Sequence, residues 1–197
     1  MRPEAVGSAS NRKPKILAKG RFPFASSCGA RGFRQTMKIG VLSDTHIPHK
    51  TKALPQKVID ILSTMDAIIH AGDYVEVSVI ELLESLGSFY GVCGNMDGPP
   101  IKQLLPQKRI VSLGGFSIGL MHGWGSPNGL EERIVSKFEN EKPDAIIYGH
   151  SHKACSKEKN GRIIINPGSP TDTRFAPFCS IGILCLGQTI SAEIIRL

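Results

Sequence analysis

The chain has 197 residues, 41 % of them hydrophobic, and a formal net charge of +7. That length suits one domain with a substantial core, and no apolar run approaches the roughly 18 residues of a membrane span. All of the excess charge lies in residues 1–36, which hold eight basic side chains against one acid, Glu4, while sixteen basic and sixteen acidic residues cancel from Met37 onward. The main body therefore gives no hint of a nucleic-acid binder, whose positive charge normally sits on the folded domain. Five cysteines (Cys28, Cys93, Cys155, Cys179 and Cys185), odd in number and without Cys-x-x-Cys spacing, argue against a disulfide framework or zinc knuckle. Cys93, Cys179 and Cys185 lie in apolar runs and read as small buried side chains, which points to a reducing compartment, the cytoplasm.

Residues 1–36 lack a steady period and are broken by Pro3, Pro14 and Pro23. They read as a basic, disordered extension or a start codon placed too early. An organelle transit peptide is the second reading, and a nucleic-acid arm using Phe22 and Phe24 the third. No apolar core of roughly 7–15 residues marks a secretory signal.

From Met37 the pattern is regular. Residues 38–43 predict a buried strand. Val58, Ile61, Leu62 and Met65 are spaced for a helix over 54–65, with Pro55 suited to its first turn. A strand follows at 67–70, a helix at 75–86 and a strand at 89–93. Residues 108–122 predict a hairpin turning at Gly114-Gly115. A helix over 130–139 and a strand over 144–148 come next. Asn160-Gly161 then joins two strands, 154–157 and 162–165, and two further apolar runs, 179–186 and 189–195, close the chain. Alternating strand and helix followed by mostly strand implies an α/β domain over 37–197, its sheet or sheets covered by helices.

Five short signatures fall just after predicted strands: Asp44-Thr45-His46, Gly72-Asp73, Gly94-Asn95-Met96-Asp97, His122-Gly123 and Gly149-His150-Ser151-His152. Ligands of open α/β sheets collect beyond the carboxyl ends of strands. Carboxylate, imidazole and amide donors without thiolate suit Mn, Fe, Co, Ni or Zn. On extended backbone, side chains two apart point the same way, so Asp44/His46 and His150/His152 would each send two groups to one place. Asp73 has two oxygens with which to bridge two ions. Two divalent ions, two carboxylates and one bridging hydroxide leave about +1, a match for a phosphodiester monoanion.

This ordered set resembles the calcineurin-like metallophosphoesterase superfamily, and within it the small YfcE-like phosphodiesterases, over Met37 to the C-terminus. The resemblance implies a single-domain β-sandwich of two mixed sheets flanked by helices. It implies that Asp44, His46, Asp73 and His152 hold one metal, and that Asp73, Asn95, His122 and His150 hold a second. Asp73 would be the bridge, and Asp73, Asn95 and His122 would act in catalysis. Two divalent metal ions, manganese foremost, would be the cofactors, and a small phosphodiester, nucleotide-derived among the options, the substrate. A hydroxide bridging the metals would attack phosphorus. Asn166-Pro167-Gly168-Ser169 resembles the family's tight turn near the site. A homo-oligomer is compatible with this reading.

Many superfamily members carry a His where this chain has Met96, and methionine donates no proton. That favours a diester with a good leaving group over phosphomonoesterase or protein-phosphatase activity; a phosphomonoesterase or nuclease stands as a further alternative. The alternative from another class is a non-catalytic scaffold like the retromer subunit of the same fold. Other polar residues carry plainer expectations. His70 reads as a hydrogen-bonded packing residue, His49 as solvated, and Asp97 as either a turn former or a residue orienting a ligand. Arg174 reads first as a surface arginine and second as a substrate-phosphate contact, and Trp124 as packed against the domain, with the mouth of the site as its second reading.

Overall fold

The computed structural model describes residues 36–197, and the expectations for the basic N-terminal segment lie outside them. One sheet runs β10-β9-β1-β2-β3 and comprises β1 (Met37–Leu42), β2 (Ala67–His70), β3 (Phe89–Gly91), β9 (Ser180–Leu186) and β10 (Ile190–Arg196). The second runs β4-β5-β6-β8-β7, from β4 (Lys108–Leu113), β5 (Phe116–Met121), β6 (Ala145–Ile147), β7 (Cys155–Lys159) and β8 (Arg162–Asn166). Both are mixed. β1, β2 and β3 are parallel, as are β5, β6 and β8, while the outer strands β4, β7, β9 and β10 pair antiparallel.

Strand periodicity explains how the layers assemble. Ile39 and Val41 of β1 face the second sheet and pack in one cluster with Ile118, Leu120, Ile147 and Ile165. The alternate residue Leu42 faces the other way, with Val58 and Leu62 of α1 (Gln56–Leu62), Val79, Ile80 and Leu83 of α2 (Val77–Leu86) and Ile101 of α3 (Pro99–Leu104). On the outside of the second sheet Ile146 and Ile164 meet Leu130 and Ile134 of α4 (Leu130–Ser136). The central strands are thus buried on both faces, which is why they read as continuous apolar runs rather than alternating ones. The result is the two-sheet sandwich flanked by helices.

Differences from the sequence reading are local. Helix α3, not predicted from the sequence, begins with Pro99-Pro100, a pair that is harmless in a first turn, where the missing N–H has no partner to lose. Helix α1 covers only Gln56–Leu62, with Pro55 outside it as the cap. Cys93 is buried, whereas Cys179 and Cys185 are only partly so. All six parallel strands end toward the same end of the sandwich, where the five signatures follow them.

Candidate metal centre

The loops after the strands do not continue as extended chain. Asp44, His46, Asp73, His150 and His152 all have positive φ, between 44° and 71°. The extended-backbone argument therefore reaches the right aim for Asp44 and His46 by the wrong conformation, and fails for His150 and His152, whose side chains diverge. A left-handed non-glycine residue costs about 1–2 kcal/mol, so surrounding bonds must hold each one. Asp44 N–H donates to Gly72 O (3.0 Å) and His46 N–H to Asp73 O (3.0 Å). The Asp97 carboxylate accepts from four backbone N–H groups, those of Asp73 (3.0 Å), Tyr74 (2.8 Å), Val75 (2.9 Å) and Gly94 (2.7 Å). Asp97 is thus the residue that fixes the Asp73 loop. Asn166 of the Asn-Pro-Gly-Ser turn donates to Gly149 O (2.9 Å), and Ser169 Oγ donates to Asp44 O (2.7 Å). Gly94 and Gly149 are needed for close approach: a Cβ on Gly94 would strike the Asp73 carboxylate, and one on Gly149 the Ser43 hydroxyl.

These restraints bring all seven predicted donors together. On one side His46 Nε2 and His152 Nε2 lie 3.1 Å apart, and Asp44 Oδ1 is 3.7 Å from the first and 3.3 Å from the second. On the other side Asn95 Oδ1 is 3.1 Å from His122 Nε2 and 2.9 Å from His150 Nδ1. Asp73 Oδ2 stands between, 3.7 Å from His46 Nε2 and 3.2 Å from His122 Nε2, within reach of both groups. Asp44, His46, Asp73, His122 and His152 are buried, whereas Asn95 and His150 sit at the rim.

Whether a cation fits can be judged from proton bookkeeping. The other ring nitrogen of His122, Nδ1, is 2.8 Å from Ala71 O, and the other nitrogen of His150, Nε2, is 2.8 Å from Gly125 O. A carbonyl only accepts, so both N–H groups are spent there and the inward nitrogens carry lone pairs. Those lone pairs face Asn95 Oδ1, itself an acceptor. With Asn95 Oδ1 facing inward, neutral histidines leave an acceptor-only pocket, which a metal ion satisfies. Among the described residues, Asp44/His46/His152 and Asp44/Asp73/His122 form groups of acidic and imidazole donors, all within 4.8 Å of one another.

Without an ion, protons take the cation's place. Burial alone would push the His122 pKa down, but the Asp44 and Asp73 carboxylates raise it to about 9. The His152 pKa is also raised, burial being outweighed by Asp44. Burial would raise the Asp44 pKa, yet the His122 charge and the His152 and His46 contacts hold it well below the usual carboxylate range. A histidine whose pKa is raised on folding stabilises the metal-free protein below about pH 6.5, and that contribution is lost as pH rises through about 9. Metal must displace this proton. Apparent Mn²⁺ affinity is therefore expected to climb roughly tenfold per pH unit for each displaced proton up to about pH 9, and then level off. Calorimetric titration in buffers of different ionisation enthalpy counts the protons released at pH 7; no release would contradict the assignment of His122.

Neighbouring residues separate into those that orient and those that line the opening. His70 is buried and packs as expected. Its Nδ1 accepts from Gly72 N–H (3.1 Å), Nε2 meets Thr45 Oγ1 (3.2 Å), the ring stacks on Tyr74 at 3.8 Å, and burial drives its pKa down to about 3. Asp172 was not anticipated. Its Oδ2 lies 3.3 Å from His152 Nδ1, 3.2 Å from Lys50 Nζ and 3.0 Å from the Arg174 guanidinium. No ligand spacing surrounds Asp172 in the chain; only the fold brings it under His152. Met96, His49 and Arg174 line a cleft together with His46, Asp73, Asn95 and His152. Trp124 is 39 % exposed and lines an adjoining cleft with Asn95 and His122, so it stands at the mouth of the site rather than packed into the domain.

Residues 37–188 match the model of the calcineurin-like phosphoesterase superfamily domain, and the chain belongs to that superfamily. A probable metallophosphoesterase of Methanothermobacter thermautotrophicus is 34 % identical over 160 residues, covering 81 % of this chain and 92 % of its own length. A structure described as that of a novel archaeal phosphodiesterase superposes with a TM-score of 0.65 at 26 % identity, covering 82 % of this chain and all of the other. Wild-type Vps29 of Entamoeba histolytica complexed with zinc superposes with a TM-score of 0.63, also at 26 % identity, over 81 % of this chain and 99 % of that one.

Proposed function

We propose that the chain is a dinuclear, metal-dependent phosphodiesterase that hydrolyses a small diester to a monoester and an alcohol. The observation that carries this reading is the acceptor-only cluster around Asn95 Oδ1 and Asp73 Oδ2, joined to a second cluster at Asp44, His46 and His152. When bound, a pair of divalent ions, Mn²⁺ foremost, supplies a water acidic enough to attack at neutral pH and a clamp on the phosphoryl oxygens. Asp44, His46, Asp73 and His152 would hold one ion, and Asp73, Asn95, His122 and His150 the other. The buried carboxylates set the net charge of the site, and the Ala71 and Gly125 carbonyls fix which imidazole nitrogen faces inward. Met96 N–H donates to Asp73 Oδ1 (2.7 Å) and so orients the bridge, but its thioether has no proton to give a departing alkoxide. Good leaving groups and diesters are therefore favoured over monoesters. Among the described residues Cys93, Cys155, Cys179 and Cys185 are free thiols, which supports a reducing compartment such as the cytoplasm.

The test is a panel of a diester, the monoester of the same alcohol, a cyclic nucleotide and a nucleic acid, each assayed with Mn²⁺, Ni²⁺ and Zn²⁺ in turn. Diester turnover at least about tenfold above monoester, abolished by chelation, is the expected result. Faster monoester turnover would contradict it. The likeness to Vps29 favours a second reading, a binding surface without turnover. Metal retention does not separate the two, since that Vps29 is itself a zinc complex; absence of turnover with every metal and substrate would.

A further inference from the structure

Large apolar side chains exposed to solvent are few among the described residues, and their placement is uneven. Met96 and Phe175, 51 % and 57 % exposed, line the same cleft over His46, Asp73, Asn95 and His152. We propose that this cleft contains a subsite for a planar ring carried by the substrate, with Phe175 as its platform. The inference rests on the proposed place of the phosphate over the metal ligands.

Phe175 is held in position although it is exposed. The Arg174 guanidinium lies 5.3 Å from its ring centre and is itself locked to Asp172 through Nε (3.1 Å to Oδ1) and a terminal nitrogen (3.0 Å to Oδ2). The His152 ring meets Phe175 edge to face at 5.4 Å. Asp172 N–H donates to Ser169 Oγ (3.0 Å) and Thr171 Oγ1 to Thr45 O (2.8 Å), tying this segment to the loop that carries Asp44 and His46. A ring fixed beside a proposed ligand histidine, on the wall of the cleft and with more than half of its surface exposed, is pre-organised to stack. Met96 adds a polarisable thioether, which packs well against ring edges, to the wall of the same cleft. Neither side chain offers a hydrogen bond, so the group recognised is flat and apolar-faced, an aryl ring or a nucleobase, rather than a sugar or short alkyl group.

Calorimetric binding to the Mn²⁺-loaded protein tests this without requiring turnover. The probes are phenyl phosphate, a nucleoside 5′-monophosphate, ribose 5-phosphate and ethyl phosphate. The two probes with a planar ring, taken as ring-bearing, are expected to bind about tenfold to a hundredfold more tightly than the two without one. Phe175→Leu, which keeps apolar bulk without the ring, should remove most of that preference while metal stoichiometry is unchanged, and Phe175→Trp should retain it. Tighter binding of both ring probes supports a general planar subsite, and of the nucleotide alone a nucleobase subsite. Ring-bearing and ring-free probes within twofold of each other, or a preference untouched in Phe175→Leu, would overturn the proposal. Ring preference without diester hydrolysis would keep the subsite and refute the phosphodiesterase reading; hydrolysis without ring preference would do the reverse.

Discussion

Replacement of Asp73 by alanine is expected to lower diester turnover by about a thousandfold or more. Asp73 Oδ2 stands between the two histidine groups, 3.7 Å from His46 Nε2 and 3.2 Å from His122 Nε2, so its loss would remove a ligand from both proposed ions at once. Charge matters as well as geometry. Asp73→Asn leaves an oxygen able to accept the Met96 N–H, but it takes one negative charge from a site whose balance with a diester monoanion depends on two carboxylates. Both variants are therefore expected to be severely impaired, with alanine the worse. Steady-state assays at saturating Mn²⁺, with melting curves to confirm folding, check this. Full activity in a folded Asp73→Ala protein with ordinary metal content would refute the bridging assignment.

The largest stability effect is expected at Asp97, which touches no proposed ion. Its two buried oxygens accept N–H groups from Asp73, Tyr74, Val75 and Gly94. Two of those residues, Asp73 and Val75, hold positive φ angles of 61° and 82°, conformations that neither side chain favours by itself. Asp97→Ala would leave the four donors without their acceptor, at a cost of about 3–5 kcal/mol. For a protein of this size that is a fall in Tm of roughly 10 °C. Asp97→Asn is expected to be nearly as damaging, because either orientation of the amide turns an NH₂ toward two N–H groups. Turnover should also drop by about 10- to 100-fold, since the Asp73 loop loses its anchor. Melting curves of the metal-free proteins measure the first effect and assays of the metal-loaded proteins the second; a melting point within about 2 °C of the parent would contradict it.

Much of this arrangement is legible in the chain, and for physical reasons. Strands such as β1 and β2 are apolar throughout because each is covered by a sheet on one face and helices on the other. That makes their ends easy to find, and the metal-type residues follow those ends. Asn160-Gly161 marks its hairpin because both residues adopt left-handed angles, 54° and 70°, that few other pairs tolerate. Less legible is whatever depends on which loops meet in space. Asp172 reaches His152 only through the docking of the segment after β8, and no local spacing announces it. Asp97 reads equally as a turn former and as an orienting residue until its four donors are seen. His150 and His152, two apart in sequence, aim at opposite halves of the centre because both have left-handed backbone, against the rule for extended chain. Trp124 and Met96 remain at the surface, where a hydrophobicity pattern would bury them.

Two cations sharing one carboxylate define the proposed centre, and anomalous diffraction from crystals grown with Mn²⁺ tests that most directly. Two peaks roughly 3.5–4 Å apart are expected, with Asp73 between them, Asp44, His46 and His152 around one, and Asn95, His122 and His150 around the other. A single peak, or none within bonding distance of Asp73, would contradict it.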